Sequence, residues 1–470
     1  RDIQKHVHAL RSLLAQGGTH RIKTYFLSHT ALKLLILLWL ALNATLIFVP
    51  LTGHDTLDYH YPIIESIARN DGLRFGLERT PIPFFGEIIY AVPTTLFGEQ
   101  FGKQSTLIQG PGEKGSEKNA IAGPFAFQLV QWSTMPLLLI VLFAAARRHL
   151  RQSFLPFLMV LLVLSLMDLW REVFHGGYID MLAYLFGAAS VLLLFTQTAA
   201  GRNHIFSSQS LDIRCPKITD IALAGILLGF ALAVKYHGLF FAAVGGVLLL
   251  VALARARAPL RTARQTVLAF VLAALLVSSF WYLKNTSQYG NPVYPMFSIA
   301  RATSDVSNFL ADRTITNFFA FPYIRYAGWF TQENESSSRL VVFGYFILFA
   351  LLVPITLVLQ KRWSRPTVLA VFLCLALYTI GFLTSHQHRF LLPSQIFLAF
   401  ALTFLFDECF SWLATRRFKL YQGLRRLAPP ALAFIFFVVF LGNVHYFYVR
   451  WQYMLGILDT QGYIADIGSQ

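Results

Sequence analysis

The chain has 470 residues, 56% hydrophobic and only 13% charged, with a mean hydropathy of +0.56. Too few charges remain to clothe the surfaces of several soluble domains, so composition excludes an ordinary soluble enzyme, a disordered chain and a secreted disulfide scaffold. A net charge of +16 raises nucleic acid as a partner, until the distribution of that charge is read.

In chain order, residues 1–30 form a basic, weakly amphipathic segment that shows no cleavable signal sequence. Apolar runs long enough to span a bilayer follow near 31–50, 121–146, 153–169, 178–198, 219–234, 237–254, 264–282, 339–359, 367–385, 391–413 and 429–448. The expectation is an all-α polytopic membrane protein of about 11 transmembrane helices. Two large outer loops are predicted over 51–120 and 283–338, and a short outer tail over 449–470. Pro83–Gly98 is apolar, proline-broken and carries Glu87; it reads as a re-entrant or interfacial helix, since a full span would invert every later loop. Gly110–Lys118 reads as a polar turn region.

With the N-terminus placed in the cytoplasm, the inside segments hold 23 of the 39 lysines and arginines, with Asp2 and Asp212 as their acids. Nine acids fall instead in the first outer loop. That is the positive-inside pattern. The basic excess is therefore a topology signal with some attraction to lipid headgroups, and no nucleic acid is required. Cys215, Cys374 and Cys409 have no metal-ligand or disulfide spacing.

The unusual polar residues gather on the outer side. His54, Asp55, Asp58 and His60 follow the first span; Asp168, Arg171, Glu172, His175 and Asp180 lie between the third and fourth. Lys235, Tyr236 and His237 break the long apolar stretch 219–254, Lys284 and Asn285 follow the seventh span, and His386, His388 and Arg389 follow the ninth. Any one of them is accounted for as a loop residue. As a one-sided set of acids and bases at membrane depth they point to a functional pocket. Asp55, just beyond a membrane helix, has the placement of a general base; Asp55 and Asp58 are equally suited to capping the helical stretch that follows.

Three segments carry a resemblance. Asp55-Thr56-Leu57-Asp58-Tyr59-His60-Tyr61-Pro62 matches a D-[ST]-L-x-Y-H-x-P pattern after the first membrane helix. Trp281-Tyr282-Leu283-Lys284-Asn285, followed by Tyr289-Gly290-Asn291-Pro292-Val293-Tyr294-Pro295, matches W-x-x-[RK]-N…GNP-[VL]-YP. His388-Arg389-Phe390-Leu391-Leu392-Pro393 is similar to a stretch that opens a late helix. Together they resemble the integral-membrane glycosyltransferases of the GT-C fold, which include relatives of protein mannosyltransferases, the aminoarabinose transferases and bacterial lipid-carrier-dependent enzymes.

The resemblance implies transfer of a sugar from a polyprenyl-phosphate donor at the non-cytoplasmic face, with Asp55 as catalytic residue and Asp58 as second choice. An acidic pair frequent in that family is missing from this loop, which keeps both open. Lys235, Lys284, Arg171 and Arg389 are the cations suited to a phosphate leaving group. His54, His60 and His175 are suited to orienting the base or binding acceptor, and Tyr236, His237, Asn285, His386 and His388 complete the substrate-binding candidates. No Asp/Glu/His spacing specifies a metal, so no cofactor is assigned, although a divalent ion is compatible with the chemistry. The implied partners are a lipid-linked sugar donor, a glycan, lipid or protein acceptor, membrane lipids, and partner membrane subunits. A soluble acceptor-binding module is expected to be missing or supplied by a partner. The implied location is a bacterial inner membrane, with the endoplasmic reticulum as the other possibility. A catalytically degenerate structural subunit of a larger membrane complex remains the alternative reading, ahead of a transporter, whose charges would line both sides of the bilayer.

Overall fold

The structure is a computed structural model and describes residues 29–48, 60, 63–64, 67, 85–102, 107–109, 119–121, 125–166, 179–199, 216–294, 314–318, 336–360, 363–384 and 391–457. Its helices are α1 Thr30–Ala44, α2 Phe85–Gly102, α3 Phe125–His149, α4 Leu155–Leu164, α5 Asp180–Ala199, α6 Ile218–Val234, α7 Gly238–Arg255, α8 Leu260–Tyr289, α9 Ser336–Gln360, α10 Arg365–Thr384, α11 Leu392–Arg416 and α12 Phe418–Met454. Among the described residues eight helices are long and apolar enough to cross a membrane, and the shorter apolar α1, α4 and α6 bring the total to the eleven that hydropathy predicts. The remaining helix, α2, holds Pro93 and Glu87 within an 18-residue helix and is not among the eight.

Differences lie at the boundaries. α8 runs 30 residues to Tyr289, so Lys284 and Asn285 occupy its last turns rather than a loop. α12 begins at Phe418 and continues through Pro429 and Pro430 for 37 residues, so most of the predicted inside loop 415–427 is a helical, exposed basic segment, with Thr415 and Arg416 ending α11. Hydropathy cannot see such extensions, because a helix does not stop where its apolar face does. Ile121, assigned to the second span, pairs instead with Leu107: β1 (Leu107–Gln109) and β2 (Asn119–Ile121) form an antiparallel ribbon, while the predicted polar turn Gly110–Lys118 lies outside the described residues.

Helices α5 and α11 form the inner layer, with 78% and 72% of their apolar windows buried, against 17% in α9 and 11% in α12. Every residue of α4 is buried. Phe195 of α5 meets Phe400 and Phe404 of α11 edge-on, joining the two central helices. Water drives little association between helices in lipid, so close backbone approach and polar staples carry more weight. Both appear around α6. A Cβ at Gly225 or Gly229 would lie 2.4 Å from the Phe270 carbonyl oxygen or 2.5 Å from that of Ala274, so this G-x-x-x-G face lets α6 lie directly on α8. On its other side, Ser190 of α5 donates to the Ala224 carbonyl at 2.8 Å.

The antiparallel runs of α5, α6, α7 and α8 place Asp180, Val234, Gly238 and Tyr289 at one end of the bundle, here the upper end. The lower end holds Ala199, Ile218, Arg255 and Leu260, about 27 Å away at 1.5 Å per residue along α7. At the lower end His29, just before α1, bonds Ser153 at 2.9 Å. Helix α1 therefore rises and delivers the first loop to the upper end, where Trp451 of α12 donates to Thr45 at 3.1 Å.

Candidate functional site

Three helix ends meet at the top of the bundle. Asp180 opens α5, Lys235 caps the C-terminus of α6 in an extended conformation, and His237 precedes α7. The acid thus sits at a positive helix end and the lysine at a negative one, the arrangement each helix dipole favours. Lys235 Nζ lies 2.8 Å from both Asp180 carboxylate oxygens, and His237 Nδ1 is 3.4 Å from Asp180 Oδ1. All three residues are buried. The turn that aims them depends on Gly238: a Cβ there would stand 2.5 Å from the Leu232 amide nitrogen.

Beside this triad lies a second acid–base pair. His60 Nδ1 is 2.6 Å from Glu87 Oε1, both fully buried. One turn along α2, Tyr90 bonds Gln131 of α3. Burial, and then the Glu87 and Asp180 carboxylates, push its phenol well above the ordinary tyrosine range, so it remains a hydrogen-bond donor. The first loop is tied to this end by apolar packing of Ile63 with Ala233 and Trp281, with Phe85 and Ile88 against them.

A third element is a polar fastening. Asn285 Nδ2 donates to the Tyr236 hydroxyl at 2.8 Å and toward the Pro292 carbonyl at 3.4 Å, while the Tyr236 hydroxyl donates to the Tyr294 carbonyl. Gly290, at φ 67, ends α8 in the left-handed region that a glycine adopts without strain. Tyr289 and Tyr294 then stack at 4.3 Å. The Trp281–Pro295 motif is therefore, over its described part, a helix end folded back on itself and pinned by Asn285. Asn285 is 1% exposed, so the Asn-Thr-Ser sequence there is sterically closed to glycosylation.

Of the sequence-derived candidates, the structure brings together Lys235 and His237 on Asp180, and Tyr236 with Asn285. His60 pairs inward with Glu87. Lys284 does not join the triad; its ammonium lies over the Trp281 ring at 5.9 Å. His54, Asp55, Asp58, Arg171, His175, His386, His388 and Arg389 lie outside the described residues. Of the third motif, Leu391 is described and is buried with Tyr378 and Phe382 at the start of α11. Among the described residues no group of three or more His, Cys, Asp and Glu side chains is placed to hold a metal ion.

Two features escape sequence reasoning. Asp180 is visible as an acid opening a span, but nothing in its spacing selects Lys235, 55 residues away, as its partner. The second is a pair of buried acids at the lower end, Asp407 and Glu408, inside a run that reads as span. Asp407 accepts the Arg151 and Gln152 amides at 3.1 and 3.3 Å. Glu408 accepts the Ser364 amide and the Thr367 hydroxyl, both at 2.8 Å.

No protein-family model and no curated protein matches the chain. Among solved structures it is similar to ArnT from Cupriavidus metallidurans bound to undecaprenyl phosphate, at 16% identity and TM-score 0.53, covering 93% of this chain and 75% of that one. The apo state of the same ArnT matches at 16% identity and TM-score 0.49, covering 83% and 60%. The S. cerevisiae protein O-mannosyltransferase Pmt1-Pmt2 complex bound to the sugar donor matches at 16% identity and TM-score 0.39, covering 56% and 34%. Identity this low speaks to architecture rather than activity, and the architecture agrees with the sequence motifs: the chain is an integral membrane protein with the GT-C fold.

Proposed function

We propose that the chain is a membrane glycosyltransferase that moves a sugar from a polyprenyl-phosphate donor to an acceptor at the non-cytoplasmic face, which is the upper end of the bundle. The observation that carries this reading is the gathering of Asp180, Lys235, His237, His60 and Glu87 at one end of a GT-C bundle, the end to which α1 delivers the first loop. Two supports stand beside it: the basic inside loops, which orient that end outward, and the likeness to ArnT bound to undecaprenyl phosphate.

The chemistry follows from the parts. The acceptor hydroxyl oxygen attacks the anomeric carbon, its proton passes to Asp55, and the bond from anomeric carbon to phosphate oxygen breaks. The polyprenyl phosphate leaves with that electron pair, and a single displacement inverts the anomeric centre. Negative charge grows on the leaving phosphate, where fixed cations lower the barrier. Arg171, Lys284 and Arg389 are the cations assigned there. Lys235 already pairs with Asp180, so its ammonium is committed to that carboxylate beside His237 rather than assigned to the phosphate.

The test is mass spectrometry of lipid-linked sugars and glycans in cells lacking the gene, with complementation by wild type or by Asp55→Asn. Loss of a general base costs about 10²–10⁴-fold in rate, so the Asn variant is expected to leave the donor accumulated and the product missing. Unchanged glycans in the deletion, or full complementation by Asp55→Asn, would overturn the assignment.

A further inference from the structure

The turn between α7 and α8, at the lower end, holds an arginine where the backbone asks for glycine. Arg257 has φ 47. The amide of Ala258 donates to the Leu253 carbonyl and that of Arg257 to the Ala254 carbonyl, both at 3.1 Å. Those two bonds define a helix C-terminal turn whose left-handed residue is usually glycine, since any Cβ there is crowded. Strain kept at an exposed position is a reason to ask what the side chain does.

Arg257 stands at the rim of an open groove of about 600 Å³ between α7 and α8, together with Arg264. The walls are apolar: Leu250 and Leu253 from α7, Val267 and Val271 from α8. Val271 lies seven residues beyond Arg264, about 10 Å deeper along the helix, so the groove is cationic at its rim and hydrocarbon within. Leu250 and Val271 are themselves exposed, at 60% and 42%, which opens the groove sideways, toward the position of the bilayer. No Asp or Glu occurs between Asp220 and Asp305. Among the described residues neither Arg257 nor Arg264 makes an ion pair or a side-chain hydrogen bond, whereas the neighbouring Arg255 is spent on the Thr198 carbonyl.

We infer that this groove is a binding site for an anionic membrane phospholipid of the leaflet at the lower end. One acyl chain lies between α7 and α8, and the phosphate is held by the Arg257 and Arg264 guanidiniums, whose forked donors suit a phosphate. The site is separate from the Asp180 cluster, at the opposite end of α7, and does not depend on the proposed transfer activity.

Native mass spectrometry of the purified full chain titrated with phosphatidylglycerol or phosphatidylcholine tests it. Phosphatidylglycerol adducts are expected to dominate and to fall on the order of tenfold in Arg257→Gly/Arg264→Gln, from the loss of two interfacial arginines. Ala254→Trp, which fills the groove and keeps both charges, is expected to lose the adduct as well. Lys419→Gln/Arg426→Gln, which removes equal charge from the exposed start of α12, is expected to keep it. Arg257→Gly alone relieves the backbone strain, so it is expected to melt no lower than wild type. Equal binding of the two lipids, full binding by the double arginine variant, or equal loss in the α12 control would overturn the site. Displacement by excess inorganic phosphate, with Ala254→Trp still binding phosphatidylglycerol, would reduce it to a phosphate site without a lipid groove and overturn it equally.

Discussion

The two ends of the bundle bury carboxylates in opposite ways. At the upper end Asp180 faces the side chains of Lys235 and His237, and Glu87 faces His60; these are contacts between acidic and basic side chains. At the lower end Asp407 and Glu408 accept main-chain amides from the α3–α4 and α9–α10 connections, with the half-exposed Arg151 guanidinium at 3.9–4.0 Å adding little through solvent. A carboxylate whose oxygens are occupied by backbone amides is a loop fastener. A carboxylate set against a lysine and a histidine can exchange partners or protons when a charged ligand arrives. On the proposed function, the lower end holds still and the upper end responds.

The largest effect tests the upper end. Asp180→Asn leaves Lys235 buried without its counter-charge, and breaking a buried pair on one side costs about 3–5 kcal/mol. A lower melting temperature in detergent is expected, together with loss of the proposed sugar transfer. The double replacement Asp180→Leu/Lys235→Met removes both charges and is expected to recover most of the melting temperature, because an apolar pair of similar volume is about as stable as a buried ion pair. Transfer is expected to stay absent in the double variant. Recovered transfer would make Asp180 and Lys235 a structural pair, and the contrast between the ends would collapse.

A smaller effect is expected below. Glu408→Met removes the acceptor of the Ser364 amide and the Thr367 hydroxyl at nearly constant volume. Stranding such donors costs about 1–3 kcal/mol, seen as a lower melting point. Transfer per folded molecule is expected to be unchanged. A Glu408→Met protein that melts normally but transfers nothing would place function at the lower end and invert the comparison.

How much of this the sequence discloses depends on distance along the chain. Each apolar run is a local signal, so the eleven apolar helices and the odd status of Pro83–Gly98 are legible. Helix ends are less so: α8 carries past its apolar run to hold Asn285, and α12 starts in a basic segment. The polar residues at the upper end are legible as a set, since hydropathy isolates Lys235, Tyr236 and His237 within 219–254. Their pairings are not. Asp168, Glu172 and Asp180 are equivalent on paper, and only the meeting of three helix ends selects Asp180 for Lys235. Asp407 and Glu408 are hidden for another reason: two acids near the end of a long apolar run are tolerated there, and apart from the Thr367 hydroxyl the hydrogen bonds they accept come from main-chain amides that any sequence possesses.

The smallest effect concerns the fastening between the two halves of the upper end. Tyr236→Phe deletes one hydroxyl that accepts from Asn285 and donates to the Tyr294 carbonyl, a loss of about 1 kcal/mol and too little to move the melting point much. Its consequence is local: the turn over 289–294 loses its pin, so amide exchange there is expected to quicken by about fivefold while α6 and α7 keep their protection. Burial holds the Tyr236 phenol above its ordinary range, and the Asn285 hydrogen bond offsets this in part. The hydroxyl therefore stays protonated, and wild-type protection of the turn, after correction for intrinsic exchange, is expected to be flat across about pH 6–9. Protection that instead fell as pH rose would mean that the phenol ionises in place. It could then no longer donate to Tyr294, and the turn would belong with the responsive part of the upper end rather than with its frame.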